Sequence, residues 1–565
     1  EESSKAGSYE SVLNINSDSK AQLTSAINHV INSYKEKNNL NKNNQILVQT
    51  QTLEIITSGV IFTRTLDLAL PYYVINYEEG KSTVGVTQGS VNETIKISRH
   101  PNSKILTKKW NLLLSAVKEI ESIIPYDSLD IEFGITRNNT IVIFQVRPMI
   151  SFQKFKAKKF DSDIKTKINQ NQKKFLKLKN SNKLHGNSLI FSDMTDWNPA
   201  EIIGNNPKLL DYSLYNFLIM KDAWYKGRTK LGYQKFNFHS LMVKFGNKPY
   251  VDIRASFNSL IPAIFEPKLK KKLINYYLEK LSKNPQLHDK AEFEILFTSY
   301  DPSLKKRLME LQNFNFSKKE IERIYNLLLL FTQKIIYEFP KTYAQCDKSI
   351  RKMTQNRLSY MKKLRKTDIY SIKLKIAEDL LNDCRNFGTT PFSLMARIAF
   401  IGTAFLKSFV SQNYFSQKSI DKFMNSLNTP LSNFQYDLSK FYDSKITKKQ
   451  FLEKYGHLRP GTYDITVDRY DKENPFLNDI KLHNVKASKN NEVDFKKIVR
   501  VLKSDNLTIS FNDLFSFIQN SLIMREDIKF EFTRNLSDAL ELIADAASNL
   551  GFSREDIAHL DINTI

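Results

Sequence analysis

The stretch DIEFGITRNNTIVIFQVRPM, residues 130–149, decides how the first part of this chain is read. Leu129, Ile131, Phe133 and Ile135 alternate with Asp130, Glu132 and Gly134, the period of a strand with one apolar face. Ile141 to Val146 form a second β-rich run beyond the turn-prone Arg137-Asn138-Asn139, so the two runs predict an antiparallel hairpin. With Thr136 opposite Ile141, Glu132 faces Gln145 and Asp130 faces Arg147, all on the polar side. Carboxylate oxygen suits a hard cation such as Mg2+ and a guanidinium fork suits phosphate. Glu132, Gln145 and Arg147 together therefore suit a metal–nucleotide complex. On pattern alone, a solvated hairpin face with a surface ion pair is the simpler reading.

Outward from the hairpin, composition sets bounds. At 565 residues the chain is too long for one core, and two or three domains are expected. Lys and Arg outnumber Asp and Glu by 84 to 60, a formal charge of +24, which raises nucleic acid or anionic ligands as partners. The excess is mostly Lys, dispersed among Asn, without zinc spacing or an RNA-recognition signature. A generic solvated surface is the expectation, and no nucleic-acid partner. Cys346 and Cys384 form neither a disulfide framework nor a CxxC motif, which points to a reducing cytoplasm and away from thiol catalysis. The most apolar long segment, Phe392 to Val410, is interrupted by Arg397 and Lys407, favouring a buried helix over a membrane span. No signal peptide is visible, and an opening on Glu1 reads as a truncated beginning.

Residues 1–150 read as α/β: a helix from about Ser19 to Lys37, strands near Gln45 to Gln51 and Gly59 to Thr63, then a helix before the hairpin. Residues 151–186 carry eleven lysines against Asp161 and Asp163, predicting an exposed basic helix that links two domains. From residue 187 to 565 helices dominate. Ser317 and Glu320 form a capping box ahead of an apolar stripe through Ile321, Ile324, Leu328, Phe331 and Ile335. Thr447 and Gln450 repeat the device before a helix stopped by Gly456, and Leu536 to Leu550 form another stopped by Gly551.

Several phrases in this half are more polar than core requires. DMTDWNPAEIIG, residues 193–204, reads as a turn at Asn198-Pro199 and a helix start over a packed Trp197. YVDIRASFNSLIPA presents Asp252, Arg254 and Asn258. His288 and Glu292 sit one turn apart, a spacing that serves a structural contact more often than a metal. In EKYGHLRPGTYDI, residues 453–465, Gly456, Pro460 and Gly461 set an irregular backbone around His457, Arg459, Tyr463 and Asp464. Such a loop either presents polar groups to a ligand or is a turn with a satisfied histidine.

The run DIEFGI followed by VIFQVRPM resembles the end of the ATP-grasp domain of the phosphoenolpyruvate synthase, pyruvate phosphate dikinase and rifampin phosphotransferase group. In that group the glutamate, glutamine and arginine of this motif bind Mg-ATP, which the resemblance carries to Glu132, Gln145 and Arg147, with Glu132 and Gln145 toward the metal. AGSYESVLNI resembles the group's phosphate-covering loop, implying roles for Gly7 and Ser11, and ILVQTQ resembles the strand whose glutamine, here Gln49, meets the nucleotide. SGVIFTR resembles the strand after it. The YGH-x-x-PG-x-x-D pattern resembles the substrate-facing middle domain of the rifampin phosphotransferase type. YYVINYEEG, DWNPAE, RASFNS and LHDKAEFE are most similar to the branch of L-glutamine kinases that begin capsular O-methyl phosphoramidate synthesis.

The resemblance implies an ATP-grasp domain that phosphorylates a histidine on a mobile domain, which then phosphorylates the side-chain amide of L-glutamine. AMP and inorganic phosphate are released. Mg2+ and ATP are the implied cofactors, and Arg254, Asn258, His457, Arg459 and Asp464 the implied acceptor-site residues. Two departures matter: the group's early lysine and arginine are absent, and none of the eight histidines lies in a Gly-rich swivelling-domain motif. A phosphohistidine domain is therefore expected downstream. Other small acceptors, or a non-catalytic basic binding protein, remain the rival readings.

Overall fold

A computed structural model of the chain describes residues 10–36, 45–66, 69–80, 93–99, 107–126, 128–149, 157–180, 184–235, 240–364, 368–472, 499–500, 502 and 507–565, with side chains of the helix Ala157–Lys179 given from residue 163. The chain divides into two compact units, residues 1–172 and 173–565. The architecture is mixed α/β at the N-terminal end, with an antiparallel sheet and helices, and largely helical beyond it.

The first unit is built on five antiparallel strands: β1 (Ile55–Phe62), β2 (Tyr72–Glu79), β3 (Glu93–Ser98), β4 (Leu129–Thr136) and β5 (Ile141–Pro148), in the order β3-β2-β1-β4-β5. Alternation sorts their residues onto two faces. Ile61, Tyr73, Ile75, Tyr77, Ile97, Ile131 and Phe133 are buried with Trp110, Leu113, Leu114 and Val117, which stand on the inward stripe of the helix Lys108–Ile123. Gly59 is needed at the centre: a Cβ there would lie 2.4 Å from the Asn76 carbonyl oxygen and 2.9 Å from the Phe133 ring. The predicted first helix is Lys20–Glu36 and the predicted strand at Gly59 is β1. The expected strand over Gln45 to Gln51 does not form: residues 45–54 are coil, and Leu47 and Val48 are 80% and 62% exposed, so among the described residues the segment has neither a partner strand nor a core to bury its apolar residues.

The second unit holds one large core wrapped around three long helices. The helix Lys318–Leu364 starts at the predicted capping box, with Glu320 Oε2 accepting from the Ser317 amide at 2.7 Å. The stripe Ile321, Ile324, Leu328, Phe331 and Ile335 is buried. The helical run 370–411 is long and apolar enough to cross a membrane by length and composition, but 67% of its apolar window is packed inside the protein. It contains a π-helical turn, Cys384–Thr389, where Thr389 Oγ1 donates to the Leu218 carbonyl of a second π-turn, Asn216–Met220. The third helix, Phe511–Asn549, extends some two dozen residues before the predicted start at Leu536, because the stripe Leu514, Phe517, Ile518, Leu522, Ile528 and Phe532 is apolar and buried too. A small sheet, β6 (Phe191–Ser192), β7 (Met242–Phe245) and β8 (Lys248–Asp252), ordered β6-β8-β7, leads into the short helix Ile253–Ser259.

Candidate functional site

In the first unit, β4 and β5 pair with Asp130 opposite Arg147 and Glu132 opposite Gln145, the register read from sequence. The route to it differs. The hairpin closes one residue tighter, Thr136 donating to Thr140 across a loop in which Asn139 is left-handed (φ 61°), so Ile135 faces Ile141. A β-bulge at Phe144 then inserts one residue and restores the offset by Glu132. Phe144 lies over Gly134, where a Cβ would meet its ring at 2.9 Å.

The face opposite the helix therefore carries two rows across the sheet. One runs Gln145, Glu132, Val60, Asn76, Thr94; the other Arg147, Asp130, Phe62, Val74, Lys96. Arg147 Nη2 donates to Asp130 Oδ2 at 2.9 Å and to Glu132 Oε1 at 3.1 Å, with the three side chains 19–24% exposed. Asp130 Oδ1 and Arg147 Nε are buried without a hydrogen-bond partner. Burial pushes both carboxyls above their usual range, against the opposing pull of Arg147. Gln145 is exposed, and so are Ser11 and Gln49, both in coil; Gly7 lies outside the described residues. Asp130 and Lys96 are the charged members of this face that the motif reading left out. The strand alternation and the register already put Asp130 there.

In the second unit the phrases separate. Asn258 is fully buried, its amide donating to the carbonyls of His185 and Arg254 (both 2.8 Å) and accepting from the His185 amide (3.1 Å). Arg254 is 4% exposed and donates to the Leu178 carbonyl at 2.7 Å. Asp252 caps its own helix through the Ala255 amide. These three hold chain segments together in the interior. His288 bonds Ser192 Oγ (2.7 Å) while Glu292 pairs with Arg397 (2.5 Å), so the two do not converge. Among the described residues no group of three or more His, Cys, Asp or Glu is placed for a metal.

The loop after Tyr455 behaves differently. It folds back on Phe511–Asn549, with Arg459 donating to Glu541 Oε1 at 2.8 Å, to Ser537 Oγ at 3.2 Å and to the Asp464 carbonyl at 3.2 Å. Ser537 Oγ in turn donates to the His457 carbonyl at 2.6 Å. His457 is 3% exposed, stands edge-on to Phe530 with ring centroids 4.8 Å apart, and neither ring nitrogen makes a well-formed hydrogen bond. Burial, then the charges of Arg534, Arg469 and Arg357, push its pKa down to about 2, against a small opposing influence from the Phe530 backbone, so the ring is neutral. It lines a pocket of about 200 Å³ with Arg459, Glu526, Lys529, Phe530 and Thr533. Asp464 points to other partners, accepting from the Thr466 amide (2.8 Å) and hydroxyl (2.6 Å). No protein-family model matches this chain, and no curated protein matches it.

Proposed function

We propose that this chain belongs to an ATP-dependent phosphotransferase of the phosphoenolpyruvate synthase type, its first unit an ATP-grasp domain and its second the acceptor domain. The observation that carries the reading is the sheet face on which Asp130, Glu132 and Arg147 converge beside an unpartnered buried carboxylate oxygen. Two carboxylates and the Gln145 amide oxygen are hard donors that fit Mg2+, which is held by one or two carboxylates plus substrate phosphates. Bound there, Mg2+ with ATP would supply charge neutralisation at the phosphoryl group. Arg147 is the fork for phosphate oxygens, and Val60, Phe62 and Val74 give the same face an apolar floor for a base.

The acceptor proposed is the side-chain amide of L-glutamine, reached through a phosphohistidine carrier on a mobile domain, with ATP and water yielding AMP, phosphate and the phosphorylated amide. The proposed setting is the cytoplasm. The rival from the same geometry is a structural ion pair, since Arg147 already bridges both carboxylates. Calorimetry with Mg-ATP separates the two. Glu132→Gln and Arg147→Ala should each weaken binding at least about tenfold, or 1.4 kcal/mol. Unchanged binding in both variants, or none by the unaltered chain, removes the nucleotide site.

A further inference from the structure

Among the described residues of the second unit several buried polar side-chain atoms lack a hydrogen-bond partner, and at His457 both ring nitrogens do. His457 is almost wholly enclosed, yet both ring nitrogens lack a partner, and such a group costs about 1–3 kcal/mol unless something satisfies it. The ring lines a pocket of about 200 Å³, room enough for a ligand of amino-acid size.

The charges around the pocket are of both signs and are unevenly committed. Arg459 is engaged by Glu541, Ser537 and two carbonyls. Lys529 is exposed and has no ion-pair partner among the described residues, and Glu526, paired only with its neighbour Arg525, stands nearby on the same helix. Positions 526, 529 and 533 share one helix face, so the acid, the base and the Thr533 hydroxyl line one side of the pocket and His457 another. Three further guanidiniums, Arg357, Arg469 and Arg534, act on the His457 ring, but each is already paired with Glu531, Asp538 or Asp471, so they keep the ring neutral and leave a ligand's carboxylate to Lys529.

We infer that this pocket is a binding site for a small free α-amino acid. Lys529 receives its carboxylate, Glu526 its ammonium group, and the neutral His457 hydrogen-bonds a polar side-chain end. His457 thus orients the ligand and is neither a base nor a phosphate carrier. The choice of L-glutamine as probe rests on the proposed function; the zwitterion chemistry does not. The inference also moves the acceptor site away from Arg254, Asn258 and Asp464, whose partners lie elsewhere.

The test is calorimetry on the full chain with three probes: L-glutamine, glutaramate, which lacks the ammonium group, and 4-aminobutanamide, which lacks the carboxylate. L-Glutamine should bind at least about tenfold more tightly than either analogue. Lys529→Ala should abolish the preference over 4-aminobutanamide, and Glu526→Gln the preference over glutaramate; both positions reach solvent, so folding is not at stake. His457→Gln, which keeps a donor and an acceptor, should bind L-glutamine better than His457→Phe. Absence of binding by all three probes at millimolar concentration, or L-glutamine binding indifferent to both helix substitutions, overturns the inference. Arg147→Ala serves as the cross-check. It should leave L-glutamine binding intact, so failure of the nucleotide site and failure of this pocket give different results.

Discussion

Replacing Arg147 with Met removes the guanidinium while keeping much of its aliphatic bulk, and leaves Asp130 and Glu132 as neighbouring, largely buried carboxylates on one strand face. Two charge-assisted hydrogen bonds are lost. With the side chains about one-fifth exposed, screening reduces their combined worth to about 2 kcal/mol at neutral pH. The sign of the pH dependence follows from burial. Both folded-state carboxyls already titrate above their unfolded values, so their ionisation opposes folding as pH rises through that window. Without Arg147 they shift further up. The loss in Arg147→Met is therefore expected at pH 7 and largely absent near pH 2, below the unfolded values of both carboxyls, where the two groups are protonated folded and unfolded alike. Mg2+ should substitute for the lost cation, restoring about 1.4 kcal/mol at ten times its dissociation constant. Hydrogen exchange of the peptide covering residues 129–148 in the intact chain reads this locally. A loss equal at both pH values, and insensitive to Mg2+, would refute the argument that two hard, mutually repelling carboxylates are held together here.

Two further outcomes follow from the second unit. Burial, with the Asp464 carboxylate adding to it and Lys208 opposing, pushes Asp211 up to about 7, and its Oδ1 has no partner. A carboxyl raised in the folded state stabilises below its unfolded pKa and loses that contribution as pH rises to about 7. Asp211→Asn should therefore raise the unfolding free energy from urea titration at pH 8 by up to about 3–4 kcal/mol and leave it unchanged near pH 2; a pH-independent effect would contradict this. Gly227 packs against the helix Thr390–Ser411 so closely that a Cβ would lie 2.3 Å from the Leu394 amide nitrogen. Gly227→Ala should cost about 3 kcal/mol by denaturant titration, and a neutral result would show that the two helices separate freely.

The hairpin was legible because a two-residue period and a turn signal are local properties. They placed Asp130, Glu132, Gln145 and Arg147 on one face before any contact was known. Capping boxes at Ser317 and Thr447 were legible for the same reason, each being a bond between residues three apart. The bulge at Phe144 was not, since it arises from fitting a tighter turn to a register fixed by the sheet. Nor was the fate of the polar phrases. DIRASFN and YGHLRPG look alike as runs of polar and aromatic residues. Only the fold ties Asn258 to the His185 backbone, more than 70 residues away in sequence, and leaves the His457 ring without a partner beside a helix that begins at Phe511. Sequence determined which groups each strand and helix face would offer, because that depends on spacing along one element. Tertiary structure decided which of those groups are consumed by the interior and which face open space, because hydrogen bonding and burial are satisfied between elements distant along the chain.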